Sequence, residues 1–252
     1  MLQDDSVNVC NWFIHNHISV NQSKTQLVCF HNPHKKVVLN SGIFLHGSDC
    51  INCSCSVVPF ASVMKYLGLV FDSDLSWNTH LSIICKKLRR LACILYSLRH
   101  TSPPRIRLMV MHALGYSILR YGITLFAHCS ETWKKSINCI LRSCLKSITY
   151  RSQVIVMEDH FSALKLPTFQ NLFLYTVILK HFWSKAYKVR TIQPRVLRRE
   201  RCMYLVPQSF TRYGTYRRRC YVPQVFNLLP KEVLGISSVN ALRKRLRKLF
   251  YC

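Results

Sequence analysis

The chain has 252 residues, enough for one large domain or two small ones around a real core. Apolar residues make up 49% of it, which excludes a disordered tail, and 36 Lys and Arg against 10 Asp and Glu give a formal net charge of +26. The excess is uneven: residues 1–60 are neutral overall, 61–78 carry net −1, 79–150 net +11 and 151–252 net +16. This asymmetry points to a polyanionic partner, nucleic acid first, with an acidic membrane surface as the rival and a plain solvated basic face as the bland alternative.

In chain order, residues 1–17 are expected to form an amphipathic helix. Val9, Cys10, Phe13, Ile14 and His17 recur every three to four residues, and Asp4 and Asp5 suit its first turn. Residues 16–21 break the pattern, Lys24 follows near a turn, and a strand is expected over 26–30. Residues 31–64 read as a spacer with a strand near 42–45. Cys50, Cys53 and Cys55, with His46 nearby, offer one C-x₂-C without a second pair, so they are read as loop thiols rather than a zinc site. Tyr66, Leu67, Leu69, Val70 and Phe71 form a β-prone apolar run, 72–74 is turn chemistry, and Asn78 or Thr79 can cap a helix.

Three helices are expected over 79–149. The first places Leu81, Ile84, Cys85, Leu88, Leu91, Ala92, Leu95 and Leu98 on one stripe, with Lys86, Lys87, Arg89 and Arg90 largely off it. Pro103-Pro104 suits the start of the second, which runs to about Gly122, is apolar nearly all round and is therefore expected to be buried. The stretch 108–129 is long and apolar, but His112 and Arg120 mark a core helix rather than a membrane span. The third carries Trp133, Ile137, Ile140, Leu141, Cys144, Leu145 and Ile148 on one side and Lys134, Lys135, Arg142 and Lys146 elsewhere.

A short helix is then expected to end at Leu166-Pro167, before a very apolar helix from Thr168 to about residue 183. Glu158-Asp159-His160 has no identifiable nucleophile and reads as helix-start chemistry. Residues 187–222 are expected to be a basic connection interleaved with aromatics, among them Arg198, Arg199, Tyr204, Phe210, Tyr213, Arg217, Arg218, Arg219 and Tyr221. Arginine with tyrosine suits phosphate contact and base stacking, and a flexible linker is the equal alternative. After Ser237-Ser238 a last helix runs to Phe250, burying Val239, Leu242, Leu246 and Leu249 and leaving Arg243, Lys244, Arg247 and Lys248 outside the stripe.

The order of several short motifs resembles a known family. Leu2-Gln3, Trp12-Phe13, Asn16, Ile18, Val20-Asn21, Lys24-Thr25 and Phe30 come first, then Tyr66-Leu67-Gly68, Phe71-Asp72, Leu75-Ser76-Trp77 and His80. Leu119-Arg120-Tyr121-Gly122, Trp133 and the closing segment 223–230 follow. The series resembles the C-terminal part of the reverse transcriptases of non-LTR (LINE-type, jockey-like) retrotransposons. The resemblance implies an α+β, mostly α fold: a palm remnant with a small sheet and one helix over 1–78, a helical thumb over 79–150, and a basic helical extension over 151–252.

It also implies roles. Tyr66, Leu67 and Gly68 fall in the primer grip, a β-hairpin holding the 3′ end of the growing strand, where a missing Cβ lets a backbone come close. Lys24 falls on a lysine near the triphosphate; a surface lysine closing a turn is the alternative. The intact family member is an Mg-dependent RNA-directed DNA polymerase whose aspartate pair lies upstream of the tryptophan matched by Trp12. The chain is therefore expected to lack catalysis and a cofactor of its own, to bind RNA, DNA or hybrid duplex, and to meet the missing polymerase half in trans. A second reading is a non-catalytic basic helical protein that binds a protein partner or an acidic membrane surface. The acidic start Met1-Leu2-Gln3-Asp4-Asp5 and thirteen cysteines without a paired framework suggest an intracellular location, nuclear or cytoplasmic.

Overall fold

The computed structural model describes residues 2–32, 34–35, 42–48, 57–150, 160–184 and 204–251. Cys50, Cys53, Cys55, Glu158, Asp159, Arg198 and Arg199 lie outside the described residues. The fold is α+β and mostly α, in two compact units, Met1–Ser82 and Ile83–Cys252. No described helix is long and apolar enough to cross a membrane.

The first unit opens with α1 (Leu2–His15), whose first turn holds Asp4 and Asp5. His17 adopts a left-handed φ of 55°, and the Ile18 amide donates to the Phe13 carbonyl at 2.8 Å, so the helix closes in a Schellman-type turn. The expected apolar stripe lies mostly outside: Cys10 is buried and Phe13 half-buried, but Val9, Ile14 and His17 are exposed, as is the neighbouring Trp12. Polar contacts hold the helix instead. The Gln3 amide brackets the backbone of Phe44, donating to its carbonyl and accepting from its N–H, both at 2.9 Å. Phe44 belongs to β1 (Ile43–Phe44), paired antiparallel with β2 (Val57–Val58). The strand expected over 26–30 reduces to one bridge, Leu27 to Phe60, because its neighbourhood bonds singly to Ala61 and Ser73 instead of forming a ladder.

The run at 66–71 is not one strand. β3 (Val63–Tyr66) and β4 (Leu69–Asp72) form an antiparallel hairpin in which Tyr66 pairs with Leu69. Leu67 and Gly68 make the two-residue turn, both left-handed, with φ of 46° and 80°. That geometry matches the right-handed twist of the strands. Gly68 adopts it freely; Leu67 does so against its Cβ.

Helix α2 (Asn78–Ser97) follows, and its start lies in the first unit. Asp72, buried and six residues upstream of Asn78, caps it: the carboxylate accepts from Thr79 N at 3.3 Å and from Ser76 Oγ at 3.1 Å. The cap thus comes from the end of β4 rather than from Asn78 or Thr79.

The second unit packs α2 by the stripe its periodicity sets, with Ile84, Cys85, Leu88, Leu91 and Leu95 buried. The second helix is composite. α3 (Pro104–Val110) starts with Pro104 in its first turn, passes into a π-helical turn over Met111–Tyr116, and resumes as α4 (Ser117–Arg120). It is not buried all round. Met111, Gly115, Tyr116 and Leu119 face inward, whereas Ile106, Met109 and Leu114 are exposed. Gly115 permits the close approach to α2: a Cβ there would sit 3.0 Å from Leu91 Cδ2 and 2.8 Å from Met111 Sδ.

After α5 (Ile123–Phe126) comes α6 (Glu131–Ile148), burying Ile137, Leu141, Cys144, Leu145 and Ile148. α7 (His160–Ala163) is short, and α8 (Phe169–His181) is capped by Thr168 Oγ1 accepting from Asn171 N at 3.3 Å. The part of the expected connection from 212 to 222 is not irregular. It folds as α9 (Arg212–Thr215) and the first half of α10 (Arg218–Asn227), with Pro223 inside the latter. α11 (Lys231–Leu234) and α12 (Val239–Phe250) end the unit. α12 buries Leu242 and Leu246 fully, while Val239 and Leu249 stay exposed, so its apolar stripe is narrower than the spacing predicts.

Candidate nucleic-acid interface

The amphipathic periodicity of α2 and α6 decides where their cations go. With the apolar stripe inward, Lys86, Lys87, Arg89 and Arg90 of α2 are exposed, as are Lys135, Arg142 and Lys146 of α6. The two helices meet where Cys144 Sγ lies 3.9 Å from the Leu88 carbonyl. Lys134 differs from the rest of its set. It is half-buried and paired at 2.7 Å with Glu131, one turn back, and it holds the Glu131 carboxyl below its ordinary value. Its charge is already answered.

Arg217, Arg218 and Arg219 are exposed and occupy the N-cap and first two positions of α10, with no acidic residue in that turn. Cations there oppose the helix dipole, a cost that an anion at the same place relieves. The aromatics expected to interleave with them split. Tyr204 and Tyr221 are buried, whereas Phe210 is 95% exposed and Tyr213 is 44% exposed. Tyr221 packs inward on His128, centroids 5.1 Å apart, and is not displayed to a base.

In the first unit Lys24 is exposed in the 3₁₀ turn Gln22–Lys24, where the Asn21 side chain accepts from its backbone N–H at 3.2 Å. Tyr66, Leu67 and Gly68 are exposed at the hairpin tip, Leu67 to 71%. A large apolar residue held in a left-handed turn and left in water is an outlier of both backbone and burial.

No acid–base or nucleophilic centre accompanies these cations among the described residues. Burial pushes the Cys129 thiol up to about 11 and that of Cys144 up to about 12, so neither is a thiolate at neutral pH. His128 and His181 are pushed down to about 4, first by burial and then by Lys134 beside the former and by Arg218 and Lys180 beside the latter. His112 is also lowered, by burial first and then by Arg120 and Arg247, which marks the positive field on that side of the unit. Among the described residues no three His, Cys, Asp or Glu side chains are grouped to hold a metal ion. In the described part of the helical unit the only acidic side chains are Glu131 and Glu232, and both are spent in ion pairs, the latter with Arg245. Sequence reasoning leaves Arg120, Lys165 and Lys180 without a binding role; each comes from a separate segment, and only the tertiary fold relates them to α12. Comparison with family models, with curated proteins and with solved structures finds no match to this chain.

Proposed function

We propose that this chain is a nucleic-acid-binding piece of a non-LTR retrotransposon reverse transcriptase, with 1–78 as the last palm elements, 79–150 as the thumb and 151–252 as a basic extension. The observation that carries the binding role is the charge of the helical unit: exposed lysines and arginines on α2, α6 and α10, with its two described acidic side chains already paired. Motif order supports the family, and a hairpin with Leu67-Gly68 at its tip suits a primer grip. The exposed Val9, Trp12 and Ile14 of α1 suit a face normally covered by the remaining polymerase elements, a partner in trans.

Exposed cations on helix faces meet phosphates without reading bases, so binding is expected to be strong at low salt and indifferent to sequence. With about six phosphates neutralised, duplex affinity falls roughly 10³-fold between 50 and 200 mM salt. Replacing Lys86, Lys87, Arg89 and Arg90 by glutamine flattens that slope and leaves the unfolding midpoint in place, since exposed charges contribute little to stability. A salt titration with labelled RNA–DNA duplex checks this. Affinity indifferent to salt, or one slope for both proteins, would remove α2 from the interface.

A further inference from the structure

We infer that the trough alongside α12 is a second phosphodiester-binding site, reading the backbone of a nucleic-acid strand; the inference rests on the nucleic-acid reading above and adds a surface it did not include. α12 lies on α8 through the fully buried Leu242 and Leu246, and Asn171 Nδ2 donates to the Phe250 carbonyl at 3.1 Å to fix its end. Arg245 pairs with Glu232, while Arg243, Lys244 and Arg247 stay exposed. Two depressions, of about 650 and 490 Å³, share Arg243 and Arg247. The larger adds Lys244, Lys248 and Lys165; the smaller adds Arg120 and Lys180. Cations from α4, the turn after α7, α8 and α12 are thereby gathered on one concave surface.

No described carboxylate lines either depression. Like charges brought together by folding repel, and no described acidic side chain offsets Arg120, Lys165, Lys180, Arg243, Lys244 and Arg247, so the surface is poised for an anion. Two details indicate that it is built. Arg120 Nη2 donates to the Tyr251 hydroxyl at 3.1 Å, which holds the guanidinium at the rim. Lys165 has a left-handed φ of 49° in the turn that ends α7, where the Leu166 amide donates to the Phe161 carbonyl at 2.9 Å. Glycine is the favoured residue at such a position. A lysine kept there against its own backbone preference points to work for its side chain.

The lining also indicates what the ligand offers. Tyr175 and Tyr251 are buried and meet edge to face at 5.2 Å, so neither ring is left open for a base. Seven cations spread over two joined depressions exceed what one phosphate engages. A polymer backbone fits, and base identity does not matter.

The test uses the full chain, fluorescence anisotropy with labelled RNA–DNA duplex, and urea unfolding. Arg243→Gln with Arg247→Gln is expected to lower the slope of log affinity against log salt by about 2, and Lys165→Gly by about 1. Lys165→Gly should leave the unfolding midpoint unchanged or raise it. Weaker binding together with a lower midpoint would assign Lys165 a structural role and overturn its part in the site. Wild-type slopes in these variants, beside a flattened slope when the four α2 cations are replaced, would overturn the trough while leaving nucleic-acid binding intact. A wild-type chain without salt-dependent binding would overturn both. Substitutions that abolish binding to phosphatidylserine vesicles but leave duplex binding untouched would reassign the trough to a membrane surface.

Discussion

Arg107 is among the largest fully buried side chains, and its two terminal nitrogens bond only to carbonyls. Nη1 donates to the carbonyls of Arg99 at 2.5 Å and Ser102 at 3.0 Å, just past the end of α2, and Nη2 to that of Ile148 at 2.9 Å, the last residue of α6. Carbonyls at helix C-termini carry partial negative charge and lack partners of their own, so one cation answers two helix ends. Arg107→Lys keeps the charge but cannot span both ends, and Arg107→Met leaves the buried acceptors bare. Each is expected to lower stability by about 2–4 kcal/mol, read from urea unfolding; a loss below about 0.5 kcal/mol in both would show that the clamp is dispensable. His181 makes a different prediction. Burial holds it neutral, near 4 against an ordinary 6.5, so the unfolded chain binds more protons between these values. Stability is full above about pH 6.5 and falls as pH drops towards 4, by about 1–2 kcal/mol between pH 7 and 5 for this one group. His128, stacked on Tyr216 at 4.6 Å, acts in the same direction. His181→Phe should flatten the pH dependence, and an unchanged pH profile in that variant would refute the assignment.

Among the elements, α1 differs from α2 and α6 in what secures it. The long helices bury continuous apolar stripes, whereas α1 rests on Ser6 and Cys10 and on side-chain bonds at Gln3 and Asn11. Amide exchange in α1 is therefore expected to be at least about 100-fold faster than in α6; equal protection would show that these polar contacts hold α1 as firmly as an apolar stripe does. The same contrast explains what is legible in the sequence. Helices α2, α6 and the core of α12 follow from a 3.6-residue period. The hairpin turn does not, since Leu67-Gly68 lacks the Asn or Asp that usually announces a left-handed pair, and the apolar run hides it. The first half of α10 reads as part of a connection because its basic and aromatic residues show no apolar period, yet Tyr221, Val222 and Phe226 bury well enough to hold it. Asp72 as a cap for α2 needs the strand end brought back to the helix start, which spacing alone does not show.

For the whole molecule, the charge distribution is plain from composition, while the trough beside α12 is not, because Arg120, Lys165 and Lys180 converge only on folding. The molecule's few acids also set an expectation for chemistry. Among the described residues, Asp4 and Asp5 sit in the first turn of a helix rather than on a hairpin, Asp72 is occupied by Ser76 and Thr79, Asp74 accepts from the Ser76 amide, and no three His, Cys, Asp or Glu side chains are grouped to hold a metal ion. Two-metal phosphoryl transfer needs carboxylates able to converge on the ions. The purified 252-residue chain is therefore expected to add no nucleotides to a primed RNA with Mg²⁺ or Mn²⁺. Template-dependent extension that persists through stringent purification would refute this.

The Arg107 clamp also bears on the order of assembly. Its partners lie 5 to 41 residues away along the chain, and it closes only once α2, α3 and α6 have docked. The bond to Ile148, which needs α6 in place, is expected to form on the late, downhill side of the folding barrier. Its loss should then leave the refolding rate nearly unchanged and show itself as faster unfolding, so that the clamp acts as a latch on the finished bundle rather than as a seed for it.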